Sequence, residues 1–314
     1  MSAAITPSTS SAGANAIPNG RRIVITGVTG TVGEPLAKAL ARDHEVFGLA
    51  RFTNPKTRAR LEAAGVQCVT FDLSSGNYDV LPDDVDHVAH FAISNSSDWD
   101  ADITANAEAV GLMMQRYSSA SSFLLCSSTA VYQPAGPSPR LESSPLGDNH
   151  REMMETYSIV KVATEAVART MARTEGLPTT IARLNVPYGD RCGLPSFHLA
   201  MLQAGLPIEV HPDRPNVFNP IHLDDIIRMV PLLLGIASVP ATIVNWGGDD
   251  TISVEDWCAE LGELTGLDVA FTENPSMVGS VVPDLTRMHE LIGATTVPWR
   301  DGLRRLVESQ APDA

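Results

Sequence analysis

The amino-acid sequence predicts an α/β protein built on a doubly wound parallel sheet, with a smaller substrate-binding lobe toward the C-terminus. Two observations lead to this prediction. Short apolar runs typical of buried strands alternate with helical patterns, which implies crossover connections and helices on both faces of one sheet. A glycine-rich turn, residues 27–33, follows the first of these runs, at the position where dinucleotide-binding folds carry their phosphate loop.

Seven apolar runs have the length and composition of buried parallel strands. They cover residues 22–26, 45–50, 67–71, 86–92, 123–127, 179–184 and 242–246. Because parallel strands of such a sheet end at one edge, the ligand is expected at the carboxyl ends of these runs.

Charge and composition narrow the class of partner. The formal net charge is −15, whereas affinity for nucleic acid depends on clustered Lys and Arg, so no nucleic-acid partner is expected. No run of eighteen apolar residues occurs, so no membrane partner is expected either. The histidines and four cysteines are scattered and form no metal-binding motif, so no metal is expected. Widely spaced cysteines suit a reducing cytoplasm, which is the expected location.

The predicted domain organisation has three parts. Residues 1–20 are rich in Ser, Ala, Pro and Gly and are expected to form a flexible tail. Residues 21–186 together with 221–250 are expected to form the dinucleotide-binding domain. Residues 187–220 together with 251–314 are expected to form the substrate-binding lobe.

The glycine turn carries the first part of the predicted cofactor site. Glycines let the backbone turn tightly and approach a pyrophosphate, whose charge the following helix N-terminus favours. The predicted cofactor-binding residues here are Gly27, Thr29, Gly30, Thr31, Val32 and Gly33.

The end of the second predicted strand favours NADP, with NAD remaining possible. An acidic residue there would accept a hydrogen bond from the ribose 2′-hydroxyl of NAD. The sequence instead has Arg51, followed by Lys56, Arg58 and Arg60. A guanidinium binds a 2′-phosphate by charge-assisted hydrogen bonds, whereas Arg60 fits a solvated helix face.

The ends of the third and fourth strands extend this site. Asp72 and Leu73 follow the third strand, where a carboxylate can meet the adenine amino group. Phe91, Ala92 and Ile93 end the fourth, where a small residue lets backbone lie along the cofactor. His90 is interpreted as a packed strand residue, and Asn106, in a helix predicted over residues 102–118, as a structural hydrogen-bonding residue.

Tyr157 and Lys161 are the candidate catalytic pair. Four residues apart on a helix, they project from the same face. A fixed cation favours the phenolate and brings proton exchange within reach at neutral pH. Ser128, at the end of the fifth strand, can donate a hydrogen bond to a substrate carbonyl while Tyr157 exchanges the proton.

Taken together, these residues resemble the extended short-chain dehydrogenases/reductases, which include sugar-nucleotide epimerases and many carbonyl reductases. The matching segments are residues 26–33, 71–73, 90–92, 127–132, 183–189, 218–225 and 284–293, with Tyr157 and Lys161. The resemblance implies a Rossmann fold and a homodimer packed through the long helices. It also implies Tyr157 as acid/base, Lys161 lowering its pKa and holding the nicotinamide ribose, and Ser128 orienting the reacting oxygen. Leu184 and Val186 complete the predicted cofactor site.

Departures from the family pattern bear on the substrate. Members that act on nucleotide diphosphate sugars place arginines where this sequence has Phe218 and Asn274, and an asparagine where it has Val186, although Asn185 is adjacent. A diphosphate would thereby lose charge-assisted contacts, each worth about 1.5 to 3 kcal/mol. A non-nucleotide substrate is therefore expected. The substrate candidates are Ser94, Ser128, Thr129, Asn185, Tyr188 and Phe218.

Three functions remain open from the sequence. The first is an NADP-preferring oxidoreductase that interconverts a ketone or aldehyde with an alcohol on a small molecule. The alternative is a nicotinamide-dependent epimerase of sugars or sugar nucleotides. A dinucleotide-sensing regulator without catalysis is disfavoured, because it has no need of Ser128, Tyr157 and Lys161 together. A 4,6-dehydratase is also disfavoured, since such enzymes have Asp-Glu where Thr129 and Ala130 follow Ser128.

Overall fold

The computed structural model describes residues 15–310. Its strands are β1 (Arg22–Thr26), β2 (Glu45–Ala50), β3 (Gln67–Thr70), β4 (His87–His90), β5 (Ser122–Ser128), β6 (Thr179–Leu184), β7 (Pro187–Gly189), β8 (Cys192–Gly193), β9 (Ile208–Val210), β10 (Val217–Phe218), β11 (Ile221–His222), β12 (Thr242–Trp246), β13 (Ile252–Ser253) and β14 (Phe271–Glu273). Seven of them form the central sheet in the order β12-β6-β5-β4-β1-β2-β3, and every pairing is parallel. This is the doubly wound order of a Rossmann fold.

The helices are α1 (Gly33–Leu40), α2 (Pro55–Ala63), α3 (Trp99–Ile103), α4 (Ala109–Arg116), α5 (Tyr157–Thr174), α6 (Leu194–Gln203), α7 (Leu223–Gly235), α8 (Val254–Thr265), α9 (Thr286–Ile292) and α10 (Trp299–Gln310). A π-helical turn, Thr104–Glu108, joins α3 to α4. The helix predicted over residues 102–118 is therefore real but starts earlier. Within residues 15–310, no helix has the length and apolar character needed to cross a membrane.

Alternating side chains of the buried strands supply two cores, one on each face of the sheet. In β1, Ile23 and Ile25 join the core formed with α1, α7 and α9, whereas Val24 joins the core formed with α4 and α5. Because successive strand residues point to opposite faces, strands covered on both sides are apolar throughout. This explains why the seven runs were recognisable in the sequence.

All seven predicted strands lie in the central sheet, but the fourth is shorter than predicted. It was expected to reach residue 92 and instead ends at His90. Beyond that point the backbone N–H groups of Phe91 and Ala92 donate to the Thr26 hydroxyl oxygen, at 3.2 and 3.1 Å. The Thr26 side chain on β1 thus takes the backbone hydrogen bonds that a neighbouring strand would otherwise accept, and the strand pairing ends there.

A third apolar core lies in the C-terminal part of the chain. It is formed by α6, α8 and α10 with the small strands, and Trp257 and Leu306 are fully buried in it. This core lies beyond the carboxyl ends of β5 and β6, and its edge residue Phe218 reaches the cavity described below.

The predicted flexible tail, residues 1–20, falls mostly outside the described residues. Of the described portion, Ile17 is buried in the core beneath α7, and its N–H donates to the Pro231 carbonyl at 3.3 Å. The Asn15 backbone also packs against Gly235, so closely that a Cβ at residue 235 would overlap the Asn15 carbonyl oxygen. Residues 15–17 thus belong to the packed fold.

Candidate active site

The glycine loop between β1 and α1 forms the floor of the site. Gly27 has a φ of +72°, and a Cβ there would lie 2.8 Å from the backbone nitrogen of Ala92. A Cβ at Gly33 would overlap the Gly27 carbonyl oxygen. Both positions therefore require glycine, and the first turn of α1 faces the loop with backbone N–H groups suited to an anion.

Two cavities meet above this loop. One, of about 650 Å³, extends over the ends of β2 and β3, and the other, of about 620 Å³, extends over the ends of β5 and β6. They share the lining residues Gly27, Gly30, Phe91 and Ile93. This arrangement fits a dinucleotide laid across the sheet edge, and every predicted cofactor-binding residue lines one cavity or the other.

The lining of the first cavity includes a positively charged side chain, Arg51, and a negatively charged side chain, Asp72. Arg51 lines it at the end of β2, with no hydrogen-bond or ion-pair partner within residues 15–310. Asp72 lines it at the end of β3, where the hydroxyl and backbone N–H of Ser74 hold the pKa of its carboxyl below the usual value. One Asp72 oxygen takes both bonds, which leaves the other for a donor such as an adenine amino group.

The other arginines of the predicted basic cluster are bound elsewhere. Arg58 donates to Glu62 at 2.8 Å, and Arg60 donates to both carboxylate oxygens of Glu34 at 2.9 and 3.0 Å. Arg60 thus pairs with α1. Of these three guanidinium groups, only Arg51 remains available to a ligand of the first cavity.

His90 is a packed residue, as interpreted from the sequence. Its ring stacks on Phe123 with centroids 6.2 Å apart, and Nδ1 lies 3.1 Å from the Thr26 hydroxyl. Burial, with a smaller contribution from Lys161, lowers the pKa of the imidazole to about 3. Since the Thr26 oxygen accepts from Phe91 and Ala92, its proton is free for His90 Nδ1.

Tyr157 and Lys161 lie in the second cavity on the first turn of α5. Lys161 is only 6% exposed, and its ammonium donates to the Cys126 carbonyl at 2.8 Å. The ammonium nitrogen lies 6.0 Å from the centroid of the Tyr157 ring. The ammonium and the phenol therefore lie close together in the lining of the second cavity.

Ser128 ends β5 in the same cavity. Its hydroxyl oxygen accepts from the Ala130 N–H at 3.1 Å and so begins a short 3₁₀ turn, Thr129–Val131. The hydroxyl proton is not used in that bond. Ser128 can therefore donate to an oxygen that enters the cavity.

Much of the lining of the second cavity is apolar. The apolar lining residues include Met154, Val186, Leu194, Phe218 and Val281. The Phe218 ring is 6% exposed and packs against Trp257 with centroids 6.2 Å apart. Among the described lining residues, Lys161 is the one Lys or Arg, so the second cavity offers no further cation to a diphosphate.

Asn185 and Thr129 line the second cavity, but their side chains bond to the protein. The Asn185 amide nitrogen donates to the Thr129 hydroxyl oxygen at 3.0 Å and to the Val281 carbonyl at 3.1 Å. Its amide oxygen accepts from the Asn219 N–H at 3.0 Å. Asn185 thus closes the cavity wall and does not take the position of the missing phosphate-side asparagine.

Two predicted substrate candidates lie elsewhere. Ser94 lines the first cavity, where its hydroxyl donates to Asp102 at 3.0 Å, because the loop after β4 folds back on α3. Tyr188 is 1% exposed in the third core, where its hydroxyl lies 3.5 Å from the Trp299 carbonyl oxygen. Neither lines the second cavity. Asn274, one of the two arginine positions, also faces away and donates to Glu209 at 3.1 Å.

His150 is a cavity residue that the sequence did not reveal. It lies in the irregular segment before α5, and its ring is 5.5 Å from the Tyr157 ring, centroid to centroid. No motif or periodic pattern marks this position. The one available signal was a polar ring within seven residues of the candidate tyrosine.

Comparison with solved structures gives the fold independently. The chain is similar to UDP-glucuronic acid 4-epimerase from Bacillus cereus, solved with UDP-glucuronic acid and NAD, with a TM-score of 0.80, 20% identity, and coverage of 92% of this chain and 98% of that one. It is also similar to the dTDP-glucose 4,6-dehydratase DesIV from Streptomyces venezuelae, solved with NAD, with a TM-score of 0.78, 23% identity, and coverage of 92% and 96%. UDP-glucose 4-epimerase from Thermotoga maritima, solved with UDP-glucose, gives a TM-score of 0.77 at 18% identity, with coverage of 92% and 98%. At these identities the likeness establishes the fold.

No curated protein matches the chain by sequence. A family model does match it, over residues 23–247, which include the glycine loop, the Tyr157 and Lys161 pair, and all seven strands of the central sheet apart from Arg22. The chain therefore belongs to the NAD dependent epimerase/dehydratase family.

Proposed function

We propose that this protein is a nicotinamide-dependent enzyme that oxidises and reduces one hydroxyl-bearing carbon of a small molecule. The observation that carries the proposal is the buried Lys161 ammonium beside Tyr157, in a cavity that is continuous with the glycine loop. When bound, the cofactor supplies hydride exchange. Family membership supports the cofactor class.

The protein residues would handle the proton. Lys161 stabilises the phenolate, so Tyr157 can take the proton of a substrate hydroxyl or return it to a carbonyl oxygen. Ser128 donates a hydrogen bond to the same oxygen and holds it in place. The apolar wall, which includes Val186 and Phe218, excludes water from this exchange.

Arg51 supports a preference for NADP over NAD. It lines the adenosine-side cavity without a partner in the described part of the chain, whereas no carboxylate follows β2 to bind a ribose 2′-hydroxyl. The B. cereus and S. venezuelae structures contain NAD, so this preference would distinguish the present chain from them.

The comparisons favour an enzyme that retains its cofactor. Epimerases oxidise and then reduce the same carbon, and epimerases and dehydratases of nucleotide sugars recur among the similar structures. We therefore infer epimerase-type chemistry as the first candidate. The Thr129 and Ala130 pair after Ser128 continues to disfavour a 4,6-dehydratase.

A carbonyl reductase acting on a non-nucleotide substrate is the second candidate. It is favoured by the apolar lining of the second cavity, in which Phe218 replaces an arginine and Lys161 is the single Lys or Arg within residues 15–310. Either way, we infer that the substrate lacks a diphosphate. Binding of a UDP- or dTDP-sugar at micromolar concentration would contradict this inference.

The amount of cofactor consumed distinguishes an epimerase from a carbonyl reductase. The purified protein is incubated with a panel of sugars and carbonyl compounds, in separate reactions with the oxidised cofactors NADP⁺ or NAD⁺ and with the reduced cofactors NADPH or NADH, and both product and cofactor are quantified. An epimerase forms product without net cofactor consumption, whereas a reductase consumes one cofactor for each product. If the protein binds the cofactor but oxidises or reduces no member of the panel, even in a single turnover, the proposed function is wrong.

We also propose a homodimer packed through α3, α4 and α5. Trp99, Ile103 and Leu112 lie on the first two of these helices with 39%, 36% and 40% of their surfaces exposed. Sedimentation velocity should give twice the chain mass, and Leu112→Arg should shift the protein toward monomer. A wild-type protein that sediments as a monomer at micromolar concentration would contradict the proposal.

A further inference from the structure

His150 brings an additional polar ring to the reactive end of the second cavity. It is half-buried and lies in the irregular segment that leads into α5. Its ring packs against Tyr157 with a 41° angle between the planes and 5.5 Å between centroids. The imidazole and the phenol therefore line the same part of the second cavity.

Hydrogen bonds fix the form of this imidazole. The Asn149 amide nitrogen donates to the Thr129 carbonyl at 3.2 Å, which sets the orientation of the amide. Its oxygen then faces Nδ1 of His150 and accepts from it, so Nδ1 carries the proton. Burial lowers the pKa of the ring to about 4, despite the nearby Asp148 carboxylate, so the ring is neutral at pH 7. Nε2 is therefore an acceptor.

A second substrate hydroxyl would need a hydrogen-bond acceptor, and Asn185, Lys161 and Ser128 do not supply one. The Asn185 amide is occupied by protein groups, and Lys161 donates to the Cys126 carbonyl. Ser128 has a proton to donate, as argued above. Within residues 15–310, His150 Nε2 has no hydrogen-bond partner, and no carboxylate lines the cavity.

We propose that His150 Nε2 accepts a hydrogen bond from a second hydroxyl of the substrate, on the carbon next to the one that reacts. The His150 ring lines the same cavity as Tyr157, with centroids 5.5 Å apart, which brings the imidazole near the reacting end of a bound substrate. The substrate class is therefore a vicinal diol or its α-hydroxy carbonyl form. This inference rests on the proposed function and applies equally to an epimerase and to a reductase.

A matched pair of small alcohols tests the inference. Propylene glycol and isopropanol share a carbon skeleton and a secondary hydroxyl, and the former has one additional neighbouring hydroxyl. Single-turnover reduction of enzyme-bound NADP⁺ or NAD⁺ is measured with each, and the reverse reaction with hydroxyacetone and acetone. The wild type should prefer the dihydroxy compound by roughly tenfold in kcat/KM, the effect of one hydrogen bond to a buried group.

Three variants test whether His150 causes the preference for the dihydroxy compound. His150→Phe preserves the packing on Tyr157 but removes the acceptor, so the ratio of the two kcat/KM values should fall to about one. His150→Gln restores an acceptor and should recover part of the ratio. The exposed His289→Phe, outside both cavities, should keep the wild-type ratio. A wild-type ratio near one, or the same ratio in His150→Phe, overturns the inference.

A second measurement separates failure of the inference from failure of the proposed function. Long-range ¹H–¹⁵N NMR on histidine-labelled holoenzyme reports which imidazole nitrogen carries the proton. A proton on Nδ1 with a bare Nε2 is the expected result for His150. A proton on Nε2 overturns the inference while leaving hydride transfer intact, whereas failure to oxidise or reduce any member of the substrate panel described above contradicts the proposed function itself.

Discussion

At the level of single residues, the candidate site contains two cations, Lys161 and Arg51, which differ in their exposure to water. Lys161 is buried and lies beside a phenol, whereas Arg51 is exposed at the edge of the adenosine-side cavity. Because Lys161 is shielded from water, its charge acts more strongly on neighbouring groups than an exposed charge does. Arg51 can contribute only by binding a ligand directly.

Arg51 predicts the cofactor preference. Replacing it with serine should reduce the ratio of NADP to NAD affinity by roughly tenfold or more, because a charge-assisted hydrogen bond to the 2′-phosphate is lost. Titration of cofactor fluorescence measures both affinities. The control is Arg60→Gln, whose guanidinium is already paired with Glu34. A ratio that is equal in the wild type and Arg51→Ser would contradict the assignment.

Residues in sequence motifs were predictable from the chain, and residues between motifs were not. The glycines, Asp72, Tyr157 and Lys161 occupy fixed positions after strands or on one helix turn, so their placement followed from local geometry. His150 lies in an irregular segment, and its approach to the cavity depends on tertiary packing. The same limit explains Tyr188, which packs in the third core instead of facing the substrate.

At the level of elements, α5 is the structure that aligns Tyr157 and Lys161. A buried network attaches it to the sheet: Glu165 on α5 accepts from Arg183 on β6 at 2.9 and 2.7 Å, and from the Ser127 hydroxyl at 2.5 Å. At its start, Thr156 donates to Asp102 at 2.7 Å. The helix is thereby held at both the sheet and α3.

This network predicts a stability effect. Arg183→Leu leaves the Glu165 carboxylate buried without its partner, and both side chains are 2% exposed, so unfolding free energy should fall by about 3 to 5 kcal/mol. Urea denaturation measures the change. The matched control, Arg304→Gln, breaks the exposed pair with Asp301 and should cost about 1 kcal/mol or less. Equal losses in the two variants would contradict this account of how α5 is anchored.

Regular elements were largely evident in the sequence, and their interruptions were not. The seven buried strands are apolar because both faces are covered. The π-helical turn at Thr104–Glu108 interrupts a helix whose pattern is otherwise continuous. Asn106 in that turn bonds to the backbone of Asp102, one turn earlier, and to the backbone of Ser94 in the preceding loop, a partner that no local pattern reveals.

At the level of the whole molecule, the carboxyl edge of the parallel sheet brings the two cavities together, and the third core borders the second cavity. Chemistry-bearing residues from β2, β3, β5 and α5 meet there because parallel strands end at one edge. The charge and scattered cysteines of the sequence bear on partners and do not determine this architecture.

Global stability should depend on pH through His90. Its pKa is about 3 in the folded protein and 6.5 as the reference, so the unfolded chain binds a proton first as pH falls. The folded protein keeps His90 neutral, and the stabilisation associated with this neutral form is fully present above pH 6.5. It is lost as the pH falls toward 3, so the free energy of unfolding decreases by at most about 1.4 kcal/mol per pH unit. Urea unfolding between neutral pH and pH 5 should show a smaller slope for His90→Phe. The same slope in both proteins would contradict the prediction.

Proton exchange by Tyr157 is the central claim, and Tyr157→Phe tests it most directly. Single-turnover hydride transfer between the bound cofactor and propylene glycol, or any carbonyl that the wild type accepts, should slow roughly 10²- to 10⁴-fold, while cofactor affinity stays near the wild-type value. Tyr117→Phe is the matched control, because the buried Tyr117 hydroxyl has no hydrogen-bond partner within residues 15–310. Wild-type rates in Tyr157→Phe would contradict the account.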